Sequence, residues 1–366
     1  MTESNYMRMA LQLAESAKGR TSPNPLVGAV VVRNQAVVGF GAHLRAGTAH
    51  AEIHALNMAG SSAEGGTMYV TLEPCNHHGR TPPCTERIIK EGIKKVYVAT
   101  LDPNPLVAGS GVKALKEAGI EVDVGLLQDE AKQINEIYNK YIVTQMPFVI
   151  LKTAMTLDGK TATVGGDSKW ITNSASRYQV HQLRNQVDGI LVGVQTICKD
   201  DPQLTTRLPE GGQSPIRIVL DSFLSIPETA QILDVEEAPT ILVCTKEHNQ
   251  EKRERLQQKG VQFVIVEGER GKVSIEQALY QLGKVGVTSI LVEGGSQIHG
   301  SFLDAGRVDK MVVFIAPKVI GGRLSVPAIG GSGVSYMSEA VELEHVNVET
   351  FDGDICITGY PNFVTG

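Results

Sequence analysis

The sequence predicts an α/β protein built from two domains. Its 366 residues exceed the usual size of a single domain, since chains longer than about 250 residues generally divide. With 42% hydrophobic and 20% charged residues, the chain can bury a sizeable core, and disorder is not expected. Short apolar runs alternate with segments of helical periodicity in both halves. This alternation is typical of layered folds with largely parallel sheets.

The first half begins with a predicted amphipathic helix, in which Tyr6, Ala10, Leu13 and Ala17 recur at helical spacing. The following elements are predicted from apolar runs and their bounding turn residues. Strands are expected at 26–32, 67–72 and 95–100, and helices at 51–58, 85–91, 112–118 and 133–141.

Residues 144–147 interrupt this pattern, and a second series of apolar runs follows them. The boundary is therefore placed at residue 146, which predicts domains 1–146 and 147–366. The second series again indicates strands separated by helices, at 148–151, 189–193, 216–220, 240–244, 263–266, 289–292 and 311–316.

Charge and cysteine content narrow the function classes. The formal net charge of −6 gives no overall attraction to nucleic acid or to an anionic membrane. No apolar run is long enough to span a membrane, and the N-terminal helix does not have the pattern of a signal peptide. Five cysteines in a chain of this length do not form a disulfide scaffold. We expect a cytoplasmic protein that acts on small molecules, with a homo-oligomer left open.

Histidine and cysteine residues are concentrated between positions 43 and 84. His50, Cys75 and Cys84 supply one imidazole and two thiolates, a ligand set that suits zinc and leaves a fourth position for water. Glu52 lies two residues after His50, and its carboxylate can turn toward the same metal if His50 stands at the start of a helix. The pattern predicts a catalytic zinc site in which Glu52 moves protons.

His-x-Glu followed by Pro-Cys and a second cysteine is the signature of zinc-dependent deaminases. Here eight residues separate the two cysteines instead of two. A metalloprotease site is disfavoured, because the glutamate of His-Glu-x-x-His stands at a different position. A structural zinc site is the remaining alternative, but it leaves Glu52 unexplained. Its fourth ligand would come from His54, His77 or His78.

One pentapeptide, Pro-Asn-Pro-Leu-Val, occurs at 23–27 and again at 103–107. Each copy lies beside a predicted strand, so that Asn24 and Asn104 can present their amides at a sheet edge. Two proline-rich turns that coincide by chance are the alternative.

The second half contains a strand–glycine–helix pattern. Strand 289–292 is followed by Glu293-Gly-Gly-Ser296 and then by a helical pattern. Glycines at such a junction let backbone N–H groups approach a phosphate at the positive end of the helix. The Gly-x-Gly-x-x-Ala match at 109–114 is disregarded, because it does not directly follow a strand.

Several longer motifs are together highly specific, and they extend through essentially the whole chain. In the first half they are SPNPLVG (22–28), PCNHHGRTPPC (74–84) and DPNP (102–105). In the second half they are KTAMTLDG (152–159), SKWIT (168–172), VGVQT (192–196), DDPQLTTR (200–207), LDS (220–222) and VEGGS (292–296). With these motifs, the sequence resembles the bifunctional deaminase–reductase family of riboflavin biosynthesis.

The resemblance implies a three-layer, cytidine-deaminase-like N-terminal domain and a dihydrofolate-reductase-like C-terminal domain. The first would remove the 2-amino group of a 2,5-diamino-6-ribosylaminopyrimidinone 5′-phosphate, with Zn²⁺ as its cofactor. The second would reduce the ribosyl chain to ribityl with NADPH. Two positions depart from the expected motifs: Asn76 and Thr156 each stand where a serine is expected.

The resemblance also assigns residues. In the deaminase, His50, Cys75 and Cys84 would hold zinc and Glu52 would shuttle protons. The deaminase substrate would be bound by Asn24, His43, His77, Arg80, Asp102 and Asn104. The reductase substrate would be bound by Ser168, Arg184, Leu204, Arg207 and Glu293, where the two arginines suit a phosphate.

NADPH would contact a further set of residues in the second half, namely Ala154, Trp170, Thr196, Asp200, Ser222, Gly295, Ser296, Gln297, Ile298, His299, Gly300 and Ser301. The proton that accompanies the hydride would come from Lys152, Asp200 or Glu293, which the sequence does not rank. Cys198, Cys244 and Cys356 show no pairing pattern and are expected to be buried thiols.

Two other functions are weighed against this one. A deaminase of tRNA or free nucleosides would leave the reductase motifs unexplained. A non-catalytic nucleotide-binding protein would have no need of Glu52.

Overall fold

A computed structural model of the chain describes residues 1–78, 82–105, 107–269 and 271–363. The chain forms two compact units, Met1–Gln145 and Met146–Gly366. The boundary predicted at residue 146 falls within one residue of this division.

The first unit has a five-stranded sheet with helices on both faces. Its elements in chain order are α1 (Glu3–Glu15), β1 (Gly28–Arg33), β2 (Ala36–Ala42), α2 (Ala51–Ala59), β3 (Thr67–Val70), α3 (Cys84–Lys90), β4 (Lys95–Val98), α4 (Ser110–Glu117), β5 (Glu121–Val124), α5 (Gln128–Ile134) and α6 (Glu136–Thr144). The strand order is β2-β1-β3-β4-β5.

This sheet is mixed, so the expectation of a largely parallel sheet is wrong for the first unit. Strand β1 pairs antiparallel with both β2 and β3, whereas β3, β4 and β5 run parallel. The sequence reading missed β2, which follows β1 through a two-residue turn. Asn34 and Gln35 both have left-handed backbone angles there, as a tight hairpin requires. No glycine marks this turn.

Alternate residues of β1 pack against opposite helical layers. Val31 lies in a core cluster with Ala55 and Leu56 of α2, whereas Val30 lies in a cluster with Met7 of α1. Gly28 lets α1 approach β1 closely, because a Cβ at this position would lie 1.9 Å from a backbone oxygen of α1. The first unit is therefore a three-layer structure.

The second unit has a nine-stranded sheet. Its elements in chain order are β6 (Phe148–Thr156), β7 (Lys160–Ala162), α7 (Ser174–Gln186), β8 (Gly189–Gly193), α8 (Val194–Asp200), β9 (Ile216–Leu220), β10 (Thr240–Thr245), α9 (Gln250–Gln258), β11 (Gln262–Val266), β12 (Gly268–Glu269), β13 (Lys272–Val273), α10 (Ile275–Lys284), β14 (Ser289–Gly294), α11 (Ser296–Asp304), β15 (Lys310–Ala316), β16 (Val326–Pro327), β17 (Glu342–Phe351) and β18 (Asp354–Asn362). The strand order is β11-β10-β9-β8-β14-β6-β15-β18-β17.

Seven neighbouring strands run parallel to one another, in the spatial order β11-β10-β9-β8-β14-β6-β15. The antiparallel hairpin β17–β18 completes the sheet at the edge beside β15. The two faces carry separate apolar clusters. Leu191 packs with Val292 and Phe302 on one face, and its neighbour Ile190 packs with Leu242 on the other. Strands β6 and β14 lie side by side inside the sheet, where they carry the polar residues described below.

The helices are short and the cysteines unpaired. Among the described residues, no helix has the length and apolar character needed to cross a membrane. All five cysteines are free thiols. Cys244 and Cys356 are buried, as expected, but the expectation is wrong for Cys198, which is exposed. Helix α8 buries only Ile197, so the adjacent residue faces solvent.

Candidate active sites of the two units

Three side chains of the first unit converge on one point. The ligand atoms of His50, Cys75 and Cys84 all lie within 4.8 Å of one another. His50 Nδ1 is 3.3 Å from Cys84 Sγ and 3.5 Å from Cys75 Sγ. Three elements bring them together, because His50 is the residue before α2, Cys84 is the first residue of α3, and Cys75 lies in the loop after β3.

Helix α3 begins at the second thiol. The backbone N–H of Cys84 donates to Cys75 Sγ at 3.4 Å, which favours a thiolate there. Asn76, one of the two departures from the expected motif, accepts a hydrogen bond from the buried hydroxyl of Thr85 through its Oδ1 at 2.8 Å. Its side chain thus ties the loop to the helix.

The two thiols differ in acidity. The hydrogen bond from Cys84 lowers the pKa of Cys75 to about 4 against the effect of burial. The same hydrogen bond raises the pKa of Cys84. A hydrogen bond to Cys75 likewise raises the pKa of His50. The hydrogen bond between the two thiols thus favours the charged form of Cys75 and disfavours that of Cys84. A metal held by these ligands would favour loss of their protons.

Glu52 lies in the first turn of α2 beside this cluster. It is only 3% exposed, and its Oε2 has no hydrogen-bond partner in the described part of the chain. Burial, followed by the nearby Cys75 thiolate, raises its pKa. A buried carboxylate oxygen left unpaired beside three soft ligands fits a zinc ion and a water molecule. The predicted position of His50 at the helix start is observed.

His43 and Asn24 lie next to this cluster. The ring of His43 packs edge-on against His50, with centroids 5.4 Å apart. His43 Nε2 is 3.1 Å from Asn24 Nδ2, and its Nδ1 is 3.2 Å from the carbonyl oxygen of Ala49. The carbonyl requires the proton on Nδ1, so Nε2 accepts from the asparagine amide. Burial lowers the pKa of His43, which keeps its ring neutral.

The remaining predicted deaminase residues that the structure describes, His77, Asp102 and Asn104, lie on two loops. Asp102 is 9% exposed and accepts a hydrogen bond from the backbone of Asn104 at 2.9 Å. Burial raises the pKa of Asp102, while the hydrogen bonds it accepts and the charge of His77 oppose this. His77 is exposed. Arg80 lies outside the described residues.

Sequence reasoning missed Glu73, a buried carboxylate that organises the loop of Asp102. It accepts hydrogen bonds from four backbone N–H groups at 2.8–3.2 Å, those of Asp102, Gly109, Gly111 and Val112. These contacts include the N-terminal turn of α4 and satisfy donors that a helix start leaves open. Its position one residue before the Pro-Cys motif did not reveal this role, because hydrogen bonds to backbone groups impose no spacing on the sequence.

A buried ionic cluster in the second unit joins Lys152 of β6, Arg184 of α7 and Glu293 of β14. Arg184 binds Glu293 through two parallel hydrogen bonds, Nε to Oε1 at 2.7 Å and Nη2 to Oε2 at 3.0 Å. Lys152 Nζ lies 3.6 Å from Glu293 Oε2. The side chains of all three are at most 12% exposed. The third guanidinium nitrogen, Nη1, donates to the carbonyl of Thr205 at 2.9 Å.

The charges in this cluster are strongly coupled. Burial alone would raise the pKa of Glu293, but Arg184 and Lys152 lower it to about 2. Burial lowers the pKa of Lys152, and the carboxylate partly offsets this effect. A buried ammonium with a lowered pKa is a better proton donor than an exposed lysine. Glu293, a second candidate donor, is held in its charged form by the two cations. Asp200, the third candidate, is exposed at the end of α8.

The second predicted phosphate ligand, Arg207, is exposed. Its backbone N–H donates to His181 Nδ1 at 3.2 Å, and its Nη1 donates to Thr205 Oγ1 at 3.2 Å. Leu204 is 4% exposed and its side chain packs in the core, so only its backbone can reach a ligand. Ser168 is partly exposed.

The predicted glycine turn is present where β14 meets α11. Gly294 has a φ of +149°, and a Cβ there would meet no atom within 4 Å. Gly295 is the residue before α11, and Ser296 begins it. Ser296 Oγ is buried without a hydrogen-bond partner among the described residues. Open backbone and an unpaired hydroxyl at a helix start fit a phosphate of NADPH.

Besides Ser296, six predicted cofactor residues lie in α11 or directly before it, and they separate into two groups. Gly295, Gln297 and Ser301 are exposed or partly exposed. Ile298 packs on the core, and His299 is buried, with Nδ1 3.0 Å from the carbonyl of Ala328. Gly300 lies against a neighbouring loop, because a Cβ there would lie 2.4 Å from the backbone of Gly330. These three residues therefore pack α11 against the rest of the unit.

The other predicted cofactor residues lie on several elements of the second unit. Trp170 is 63% exposed, which excludes a core role, and it stacks on Arg177 at 4.6 Å. Thr196 Oγ1 lies 3.6 Å from where a Cβ of Gly295 would stand. Ser222 Oγ accepts a hydrogen bond from the backbone of Val273 at 3.0 Å. Ala154 lies on β6, two residues beyond Lys152.

The fold and these sites define a class: a three-layer unit with a deaminase-type metal centre, joined in one chain to an α/β unit with a buried ionic site and a nucleotide-type glycine turn. Two family descriptions match accordingly. Residues 1–100 match the cytidine and deoxycytidylate deaminase zinc-binding region, and residues 147–357 match the RibD C-terminal domain. The chain belongs to the RibD family, which confirms the resemblance inferred from its motifs.

Individual relatives agree with this assignment. The riboflavin biosynthesis protein RibD of Aquifex aeolicus is 49% identical over 97% of both chains. Among solved structures, Acinetobacter baumannii RibD is 37% identical with a TM-score of 0.88, and it covers 98% of each chain. A diaminohydroxyphosphoribosylaminopyrimidine deaminase and 5-amino-6-(5-phosphoribosylamino)uracil reductase from Thermotoga maritima is 38% identical, with a TM-score of 0.87 and 98% coverage of both chains.

The chain is therefore a bifunctional deaminase–reductase of riboflavin biosynthesis. Its deaminase domain uses zinc and its reductase domain uses NADPH. This family membership favours the bifunctional reading over the two other functions that the sequence analysis considered.

Proposed function

We propose that the chain catalyses two consecutive steps on one pyrimidine ribotide. Residues 1–146 would convert 2,5-diamino-6-ribosylamino-4(3H)-pyrimidinone 5′-phosphate into the corresponding uracil by hydrolytic loss of the 2-amino group. Residues 147–366 would then reduce the ribosyl chain of that product to ribityl. The Thermotoga maritima relative, a deaminase and reductase of this type, supports the pairing of the two activities. The observation that carries the proposal is the buried Glu52 beside the three converging ligands.

In the deaminase, His50, Cys75 and Cys84 would hold zinc, which supplies a Lewis acid that lowers the pKa of a water molecule. Glu52 accepts a proton from the attacking water and delivers it to the departing amine. The C–N bond at ring position 2 breaks, a carbonyl forms there, and ammonia leaves. The unpaired Oε2 of Glu52 is the atom suited to this transfer.

Six further residues would bind the ribotide during deamination. Asn24 and the neutral ring of His43 would contact the base beside the metal, since both lie next to His50. The ribose phosphate would be bound by His77, Arg80, Asp102 and Asn104.

In the reductase, bound NADPH would be the hydride donor for reduction of the open-chain imine at C1′. We assign the accompanying proton to Lys152, which would deliver it to the imine nitrogen. Glu293 fixes the ammonium group, and Arg184 holds Glu293 in place through its two hydrogen bonds. Arg207 would then bind the substrate phosphate, with Ser168 and the backbone of Leu204 beside it.

The cofactor would lie along the start of α11. Gly295 and Ser296 would face a phosphate of NADPH, with Thr196 and Gln297 at its side. Ala154, Trp170, Asp200, Ser222 and Ser301 would complete the contacts, and Ile298, His299 and Gly300 would support the helix. A cytoplasmic location is also part of the proposal, and cell fractionation would test it. The proposal leaves the oligomeric state open, and light scattering would determine it.

The decisive experiment follows NADPH oxidation by the zinc-loaded protein with the diaminopyrimidinone ribotide, with and without a chelator. Released ammonia is measured in parallel. Oxidation that stops when zinc is removed, and resumes when the deaminated ribotide is supplied directly, supports two steps in series. Ammonia release without oxidation would refute the reductase assignment. Ammonia release from cytidine or tRNA, but not from the ribotide, would refute the substrate assignment.

A further inference from the structure

The junction between α5 and α6 reaches both loops that carry the repeated pentapeptide. Asn135 lies between these two helices, and Tyr138 lies in the first turn of α6. Asn135 contacts the first loop, and Tyr138 contacts Asp102, just before the second. Neither residue belongs to a deaminase motif, and both lie beyond residue 100, where the match to the deaminase zinc-binding region ends.

The contact of Asn135 is a two-way bridge to the backbone of Leu26. Asn135 Oδ1 accepts from the N–H of Leu26 at 2.7 Å, and its Nδ2 donates to the carbonyl of Leu26 at 2.9 Å. Asn135 is 2% exposed and Leu26 is 7% exposed. A buried amide that satisfies both backbone groups of one residue fixes the path of the loop. Asn24, which contacts His43, stands two residues before this bridge.

Tyr138 fixes the carboxylate on the other loop. Its hydroxyl donates to Asp102, at 3.0 Å from Oδ1 and 3.3 Å from Oδ2. On the backbone side, Glu73 accepts from the N–H of Asp102. The side chain and the backbone of Asp102 are thus held from different elements, which restricts its rotamer.

We propose that Asn135 and Tyr138 are positioning residues of the deaminase, which hold the loops of Asn24 and Asp102 in the geometry that binds the ribotide. This inference rests on the proposed function, because that function makes Asn24 and Asp102 substrate ligands. It also explains how a repeated loop can serve one site, since two residues three positions apart at the α5–α6 junction contact the two loops.

The primary test is Tyr138→Phe, which removes one hydroxyl and keeps the ring. A hydrogen bond to a carboxylate is among the stronger ones in proteins, so we expect KM for the ribotide in deamination to rise about tenfold. Because the metal ligands and Glu52 are untouched, kcat should change by less than about threefold. The zinc content and the reduction of the deaminated ribotide should stay at wild-type values.

Tyr6→Phe is the matched control. Tyr6 also lies in the first unit, and its hydroxyl donates to the carbonyl of Gln35 at 2.8 Å, away from both loops. This variant loses a hydrogen bond of similar length and should keep the wild-type KM. A purely structural role for Tyr138 would make the two variants alike.

Two further measurements separate positioning from stability. In an Asp102→Asn background, Tyr138→Phe should no longer change KM, because its effect passes through the carboxylate. The acid limb of kcat/KM should also move to higher pH in Tyr138→Phe alone, since the lost hydrogen bond stabilised the charged Asp102. Glu73 and His77 are the other titratable groups that face this carboxylate, and both are retained.

Asn135→Ala tests the other loop, with reduction of the deaminated ribotide by the same sample as internal control. We expect a raised deamination KM with unchanged reduction. Failure of the wild-type protein to release ammonia from the ribotide would overturn the proposed function itself. A wild-type protein that does so, together with a Tyr138→Phe variant whose KM equals that of Tyr6→Phe, would overturn the positioning role alone.

Discussion

Replacing Glu293 by glutamine tests whether the ionic cluster of the reductase unit is as buried and as tightly paired as the structure shows. The substitution keeps the shape of the side chain and removes its charge. Arg184 and Lys152 then face a neutral amide inside the unit, with at most 12% of any of these side chains exposed. Two buried cations are left without their common anion, which is the costly way to break a buried ion pair.

Two independent arguments give the expected loss in the free energy of unfolding. Removing one partner of a buried ion pair typically costs about 3–5 kcal/mol. The pKa of Glu293 is lowered from its usual 4.5 to about 2, which corresponds to about 3 kcal/mol in favour of the charged form. For a unit of about 220 residues, 1 kcal/mol shifts Tm by about 2–4 °C, so we expect Tm to fall by about 6–20 °C.

The chain provides a selective probe for this measurement. Its single tryptophan, Trp170, lies in the second unit, so tryptophan fluorescence reports thermal unfolding of that unit. Glu267→Gln is the matched control, because it breaks the exposed pair with Lys246, whose side chains are 74% and 70% exposed. Such a pair contributes less than about 1 kcal/mol. A Tm for Glu293→Gln within about 2 °C of this control would refute the reasoning.

Three further outcomes are expected. Because the folded pKa of Glu293 lies below its usual value, the stability it contributes should be complete above pH 4.5 and lost as the pH falls toward 2. When stability is followed by Trp170 fluorescence during an acid titration, Glu293→Gln should lose less stability over this pH range than the wild type. Glu52→Gln should retain zinc, measured by elemental analysis, and lose ammonia release by about 10²–10⁴-fold; near-normal release would contradict its assignment. Arg207→Ala should raise the reductase KM for the ribotide and leave that for NADPH unchanged, and an equal ribotide KM would count against a phosphate contact.

Most of the parallel core could be predicted from the sequence. The strands 189–193 and 216–220 were predicted with the bounds that the structure has, because buried parallel strands are continuous apolar runs. The missed elements lack this signal. Strand β17 (Glu342–Phe351) is exposed over most of its length, and its residues largely alternate between polar and apolar. The helix expected at 133–141 is two helices, which Asn135 separates.

The convergence of His50, Cys75 and Cys84 could also be predicted, since histidine and cysteine are rare and their spacing reflects ligand geometry. The ionic pairing in the reductase could not be. From the sequence, Arg184 and Arg207 were equivalent cations suited to a phosphate. In the structure, Arg184 directs three nitrogens to Glu293 and Thr205, whereas Arg207 is exposed. That difference depends on the adjacency of α7 and β14, which lie more than a hundred residues apart in sequence.

A third class of residue left no pattern in the sequence. Glu73, Asn135 and Tyr138 act mainly on backbone groups or on another side chain, and such contacts impose no spacing of their own. Asn135 and Leu26 are 109 residues apart and yet exchange two hydrogen bonds. If these residues position the substrate loops, intact metal and proton-transfer motifs do not by themselves ensure deamination. Affinity for the ribotide would then depend on the helical segment that ends the first unit, at positions that a motif comparison does not examine.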